Sequence, residues 1–137
     1  MKKLINTSFV YFILAMAGGV FYREYTKYMG FKGFTVLGLV HAHLLALGVF
    51  MFLILALFCM KFNLLENKKF GKFYILYNIG ISLTAIMLLV RGLTQVNTAM
   101  TDSIAIPIFA GIGHLITFIA VLFMFSALRE EVGKTGK

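Results

Sequence analysis

Four long apolar runs place the strongest constraint on how this chain can fold. They cover residues 4–22, 36–60, 73–90 and 104–128, and polar or basic residues separate them. Each run is close to the roughly 20 residues that a helix needs to cross a hydrocarbon core of about 30 Å. The runs are continuous and lack the two-residue alternation of barrel strands. The sequence therefore predicts an all-α integral membrane protein, a single domain (residues 1–137) with a bundle of four transmembrane helices.

The composition argues against a soluble domain of this size. Of the 137 residues, 61% are hydrophobic and 13% are charged, whereas soluble domains have about 45–50% and about 25%. A small soluble domain buries only about two-thirds of the surface that its unfolded chain exposes, so it could not hide this much apolar surface. The lipid bilayer is therefore the expected partner.

The basic residues predict the orientation of the helices. The net charge is +8, but Lys and Arg lie in short patches between the apolar runs, so nucleic acid is not an expected partner. Cytoplasmic loops of membrane proteins are rich in Lys and Arg. We expect the protein in a bacterial cytoplasmic membrane with both termini on the cytoplasmic side, because that orientation puts nine basic residues on the inside and four on the outside. The outside four are Arg23, Lys27, Lys32 and Arg91, and the inside nine are Lys2, Lys3, Lys61, Lys68, Lys69, Lys72, Arg129, Lys134 and Lys137.

The first run also has features of a cleavable signal peptide. Two lysines precede a short apolar region, and small residues follow near Ala15 and Ala17. The apolar character continues beyond that point to Tyr22. We therefore expect the run to be retained as the first transmembrane helix, and its cleavage would leave the other three helices unchanged.

Catalytic motifs are missing from the sequence. Cys59 is the only cysteine, which excludes an internal disulfide and a CxxC metal or redox motif. All five acidic residues lie outside the apolar runs, and no nucleophile–base pair or phosphate-binding loop occurs. The sequence favours a binding or electron-transfer protein over an enzyme.

The three histidines all lie within apolar runs, where a group that needs hydrogen bonds is a functional candidate. Residues two apart on a helix point about 200° away from each other, so His41 and His43 cannot chelate one ion together. The distance along the helix from the basic residue at its inner end is about 30 Å for His41, about 27 Å for His43 and about 22 Å for His114, at about 1.5 Å per residue. All three fall in the outer half of the bilayer. His43 with His114 is slightly favoured over His41 with His114.

Two histidines on different helices at similar depth suit the iron of a b-type haem, which takes one imidazole on each side. The haem propionates need cations near the aqueous side. The expected site combines ligand candidates, propionate partners and a glycine that leaves room against the porphyrin: His41, His43, His114, Arg23, Arg91 and Gly111. With both axial positions filled we expect electron transfer, together with a redox partner protein or a homo-oligomer.

Two other interpretations are open. The same three imidazoles suit copper or zinc, as the metal ligands of a binding or transport protein. Alternatively, the histidines only bond across helices in an accessory subunit, and Arg23 and Arg91 extend to lipid headgroups.

Short motifs give this sequence two resemblances. It resembles an uncharacterised family of small bacterial four-helix membrane proteins over most of its length, through Val40-His41-Ala42-His43-Leu44-Leu45, Phe21-Tyr22-Arg23-Glu24 and Tyr77-Asn78-Ile79-Gly80. That resemblance implies a fold and a membrane location but no activity.

The histidines are also similar to those of haem-copper oxidase and nitric oxide reductase catalytic subunits. There an H-x-H helix serves two haems, and a histidine on another helix completes the low-spin site. The histidine cluster that holds copper in those enzymes is absent here, which argues against oxygen or nitric oxide reduction.

Overall fold

A computed structural model of the protein describes residues 1–97 and 103–135, which contain four long helices and no strand. We name these helices α1 (Lys2–Tyr28), α2 (Leu37–Lys61), α3 (Lys68–Val96) and α4 (Ala105–Thr135). A short 3₁₀ turn, Leu64–Glu66, joins α2 to α3. The end of the bundle where α2 and α4 begin is called the outer end here, and the opposite end the inner end.

All four helices are long and apolar enough to span a membrane, as the four runs predicted. The helices also extend beyond the apolar runs, because the basic residues that flank a run continue the helix into the polar region. Ser103 caps α4 by accepting a hydrogen bond from the Ala105 N–H at 3.3 Å. Asp102 and Lys137 lie outside the described residues.

Helix α3 is the centre of the bundle. It packs along α4 over the most extensive helix contact of the fold, and its outer half also contacts the start of α2. Helix α1 packs along α2 and reaches α3 through side chains, for example from the Tyr11 hydroxyl to Asn78 Oδ1 at 2.9 Å. Asn78 and Gly80 are two positions apart on α3 and so point in nearly opposite directions. Since Gly80 contacts α4, the helices α1 and α4 lie on opposite sides of α3.

Glycines allow the closest helix contacts. A Cβ added at Gly92 would lie 2.6 Å from the backbone of Leu37, at the start of α2. A Cβ added at Gly113 of α4 would lie 2.6 Å from Thr84 Oγ1 and 3.2 Å from the Gly80 carbonyl oxygen of α3. Small residues of this kind let helix backbones approach each other inside a membrane, where packing replaces the hydrophobic effect as the driving force.

The buried core lies toward the inner half of the bundle. Phe52, Phe73 and Tyr77 are fully buried, and their rings pack at centroid distances of 5.0 Å (Phe73–Tyr77) and 5.7 Å (Phe52–Tyr77). Such aromatic pairs add specific geometry to the burial of apolar area. Helix α4 is the least enclosed, since only 11% of its most apolar stretch is buried.

Candidate functional site

His41 lies at the contact between α2 and α1. Its side chain is half-buried, and its Nδ1 is 2.8 Å from the Ala15 carbonyl oxygen of α1. Gly19 of α1 makes room for the ring, because a Cβ there would lie 3.2 Å from His41 Nδ1. This histidine therefore links two helices.

His43 and His114 bond to their own helices instead. His43 Nδ1 lies 3.0 Å from the Leu39 carbonyl oxygen, and His114 Nδ1 lies 2.7 Å from the Ala110 carbonyl oxygen. His43 is half-buried, whereas His114 is exposed on α4. Neither Nδ1 bonds to another helix.

One chemical feature is common to the three histidines. A carbonyl oxygen can only accept a hydrogen bond, so the Nδ1 of each ring must carry the proton and donate it. The Nε2 of each neutral imidazole then holds a lone pair, and it has no hydrogen-bond partner among residues 1–97 and 103–135. A ring fixed by Nδ1–H to a main-chain carbonyl, with Nε2 available, is the form in which histidine binds metals.

The two histidines of α2 point to different sides. His41 points toward α1, and a residue two positions further along an α-helix points about 200° away. His43 therefore lies on the side of α2 that is turned away from α1. Helix α2 itself packs against α1 and α3, while α4 packs along α3 on the side opposite to α1.

Contacts with α3 also give relative depths. The start of α2 lies against Gly92, and His43 is six residues further along α2, about 9 Å deeper. Gly113 lies against Thr84, which is eight residues before Gly92 on α3, about 12 Å deeper. His114 follows Gly113 directly. It lies within about two helical turns of His43 in depth.

The other predicted site residues separate into two groups. Arg23, at the end of α1, pairs with Glu24 at 3.3 Å and is largely exposed. Arg91 lies on α3 beside the start of α4, where it borders a cavity of about 190 Å³ together with Ile104 and Pro107. Gly111 is exposed, and a Cβ there would meet nothing within 4 Å. Arg91, Gly111 and His114 thus lie on the α4 side of the bundle.

No group of three or more His, Cys, Asp or Glu side chains lies close enough to hold a metal ion in the part of the chain that the structure describes. The three histidines therefore do not form one common three-ligand site. Among the described residues, at most two such side chains could share one ion.

A π-helical segment follows His43 directly, and sequence reasoning missed it. Residues Leu44–Phe50 of α2 form this segment between the α-helical parts Leu37–His43 and Met51–Lys61. Two of its carbonyl oxygens accept bonds from other helices: Ser8 Oγ donates to the Val49 oxygen and the Tyr77 hydroxyl to the Leu47 oxygen, both at 3.0 Å. Segments of this kind occur often at functional sites. Here it sets the rotation of the histidines relative to the inner half of α2.

Replacing Ser8 by alanine is expected to lower the free energy of unfolding by about 1 kcal/mol, because it leaves a buried π-helical carbonyl without this donor. Thermal unfolding of the detergent-purified protein measures the effect. Ser126→Ala is the matched control, since Ser126 also lies within a long helix, α4, and its hydroxyl makes no hydrogen bond within the described residues. Equal stability of the two variants would contradict the role assigned to Ser8.

The fold and the positions of the histidines define a class: a small helical protein with four candidate membrane-spanning helices and histidines within them. Residues 1–131 match the family described as "Protein of unknown function (DUF2871)", and the chain belongs to that family. This confirms the resemblance to an uncharacterised family, while the resemblance to haem-copper oxidases is not shown. Neither the curated proteins nor the solved structures gave a match.

Proposed function

We propose that this protein binds a b-type haem in the outer half of a bacterial cytoplasmic membrane, with His43 and His114 as the two axial ligands. One observation carries the proposal: both rings donate their Nδ1–H to a main-chain carbonyl and leave Nε2 available as a Lewis base. Iron in b-type haem takes its axial imidazoles in this form. Packing alone would not require an available Nε2 on both rings.

The placement of the helices supports His43 over His41 as the partner of His114. His41 is held against α1 by its bond to Ala15 and by Gly19. His43 lies on the side of α2 that is turned away from α1. On α4, Gly113 faces α3, and His114 is one residue, about 100°, around the helix from it. For a right-handed helix running inward, that rotation turns His114 toward the α2 side.

Two further residues fit this location. Gly111 precedes His114 by one helical turn and leaves an open surface, against which a flat macrocycle can lie. Arg91 lies nearer the outer end on the same side of the bundle and is exposed. A guanidinium there suits a propionate carboxylate. Arg23 is less suited, because it pairs with Glu24 and lies on α1, across α3 from His114.

With His43 and His114 both bound to the iron, no site would be open for a gas, so electron transfer is the role that would follow. The protein would then exchange electrons with a redox partner protein or with a second copy of itself. His43 and His114 would supply the ligands, Arg91 the cation near the propionates, and the apolar helices the low-dielectric surroundings that tune the reduction potential.

The absorption spectrum of the detergent-purified protein, produced with ample haem, tests the proposal. We expect a Soret band and, after reduction, the sharp α and β bands of bis-histidine haem. A colourless protein under these conditions would refute haem binding. Metal analysis of that colourless protein would then decide between a copper or zinc site at the same imidazoles and histidines that only support packing.

A further inference from the structure

A groove runs between α1 and α3, on the side of α3 opposite to α4. Its inner part has a volume of about 660 Å³ and is bordered by polar side chains. Its outer part has a volume of about 260 Å³ and is almost entirely apolar, with walls that include Leu44, Ile86 and Leu89. Tyr11, Leu14 and Ser82 border both parts, so the two form one continuous groove.

The polar groups in the middle of the groove bond to each other. The Thr7 hydroxyl donates to the Lys3 carbonyl oxygen at 2.9 Å, so the Tyr74 hydroxyl is the donor in its 2.6 Å bond to Thr7 Oγ1. Asn78 donates to the Tyr74 carbonyl oxygen at 2.7 Å and accepts from the Tyr11 hydroxyl at 2.9 Å. These bonds hold α1 to α3 and leave little capacity for a ligand.

The inner mouth of the groove is different. The Lys3 ammonium lies 4.0 Å from the centroid of the Tyr74 ring, and no carboxylate pairs with it in residues 1–97 and 103–135. Asn6 borders the same mouth, is exposed and makes no side-chain hydrogen bond in those residues. A cation and an amide donor thus stand at the polar end of a groove whose other end is apolar.

We propose that this groove binds an acidic phospholipid, with the phosphate at Lys3 and Asn6 and one acyl chain along the apolar part. The phosphate can accept from both donors, and the Lys3 ammonium favours a headgroup of net negative charge over one that also carries a choline cation. The length is also suitable: Tyr74 to Leu89 spans about 22 Å of α3, more than the roughly 15 Å of hydrocarbon in one leaflet. This site is independent of the haem proposal, because it lies on the other side of α3.

Native mass spectrometry of the full-length protein, with equal amounts of phosphatidylglycerol and phosphatidylcholine, tests the headgroup. We expect the wild-type protein to retain phosphatidylglycerol about tenfold more than phosphatidylcholine, and Lys3→Gln to remove most of that preference, because the ammonium that attracts a headgroup of net negative charge is lost. Lys2→Gln is the matched control, since Lys2 does not border the groove. Equal losses in both variants would mean general surface charge and would overturn the proposal.

The acyl chain is tested separately. Leu14→Trp fills the groove at a half-exposed position and is expected to lower phosphatidylglycerol retention severalfold, whereas Ile13→Trp, equally exposed but outside the groove, is expected to leave it unchanged. Both variants keep Lys3. If Leu14→Trp retained the lipid as well as the wild-type protein, or if the wild-type protein did not distinguish the two lipids, the site would be excluded.

Discussion

His43→Ala is expected to abolish the haem spectrum, and this is the largest effect that the proposed site predicts. In the proposed site the substitution would remove one of the two histidine ligands and would leave the iron with a single protein ligand. Loss of an outer-shell partner of a metal ligand alone costs about 10–100-fold in affinity, so loss of the ligand is expected to cost more than that. The ratio of Soret absorbance to protein concentration, after purification under equal haem supply, measures the effect. His114→Ala is expected to behave in the same way.

His41→Ala is the matched control for that experiment. It lies two residues from His43, on the same apolar segment, and it removes the same functional group. Its expected result is an unchanged haem content with a small loss of stability, because the bond to the Ala15 carbonyl oxygen and the packing of the ring against Gly19 are lost. Haem lost from His41→Ala and kept in His43→Ala would reverse the assignment. A spectrum kept in His114→Ala would refute the pairing.

Gly113→Leu is expected to have the largest effect on the fold. The new side chain would begin 2.6 Å from Thr84 Oγ1 and 3.1 Å from the Thr84 backbone nitrogen, so α3 and α4 must move apart. Overpacking of this kind costs about 1–3 kcal/mol, and here it acts on the most extensive helix contact of the fold. A lower thermal unfolding temperature in detergent, with easier proteolysis of α4, is the expected observation.

Gly111→Leu separates this packing effect from the haem site. It makes the same substitution two residues earlier on α4, where a Cβ meets nothing within 4 Å, so stability is expected to stay close to that of the wild-type protein. Haem content is expected to fall, because the leucine would occupy the surface beside His114. Equal destabilisation by both leucines would show that the α3–α4 contact differs from the one described.

The central position of α3 organises both proposals. One side of α3 packs against α4 near His114, and the other side borders the groove that begins at Lys3. A substitution at one of the two proposed sites can therefore be tested for its effect on ligand binding at the other site. We expect Lys3→Gln to leave the haem content unchanged and His43→Ala to leave phosphatidylglycerol retention unchanged.

The sequence by itself determined the number of helices, because hydrocarbon thickness requires runs of a certain length and the chain has four of them. It also determined that His41 and His43 cannot share a side, because helix periodicity separates neighbours two residues apart. These features depend on the local chain alone.

Only the tertiary structure decided the rest. The π-helical segment after His43 depends on donors from Ser8 and Tyr77, which belong to other helices. The separation of Arg23 from Arg91 depends on which sides of α3 pack against α1 and α4, and no local pattern encodes that choice. The sequence identified the histidines as candidate site residues, because a side chain that needs hydrogen bonds is rare in a long apolar run. Which of them lie on the same side of the bundle follows from helix packing, where glycines such as Gly80 and Gly113 set the closest approach.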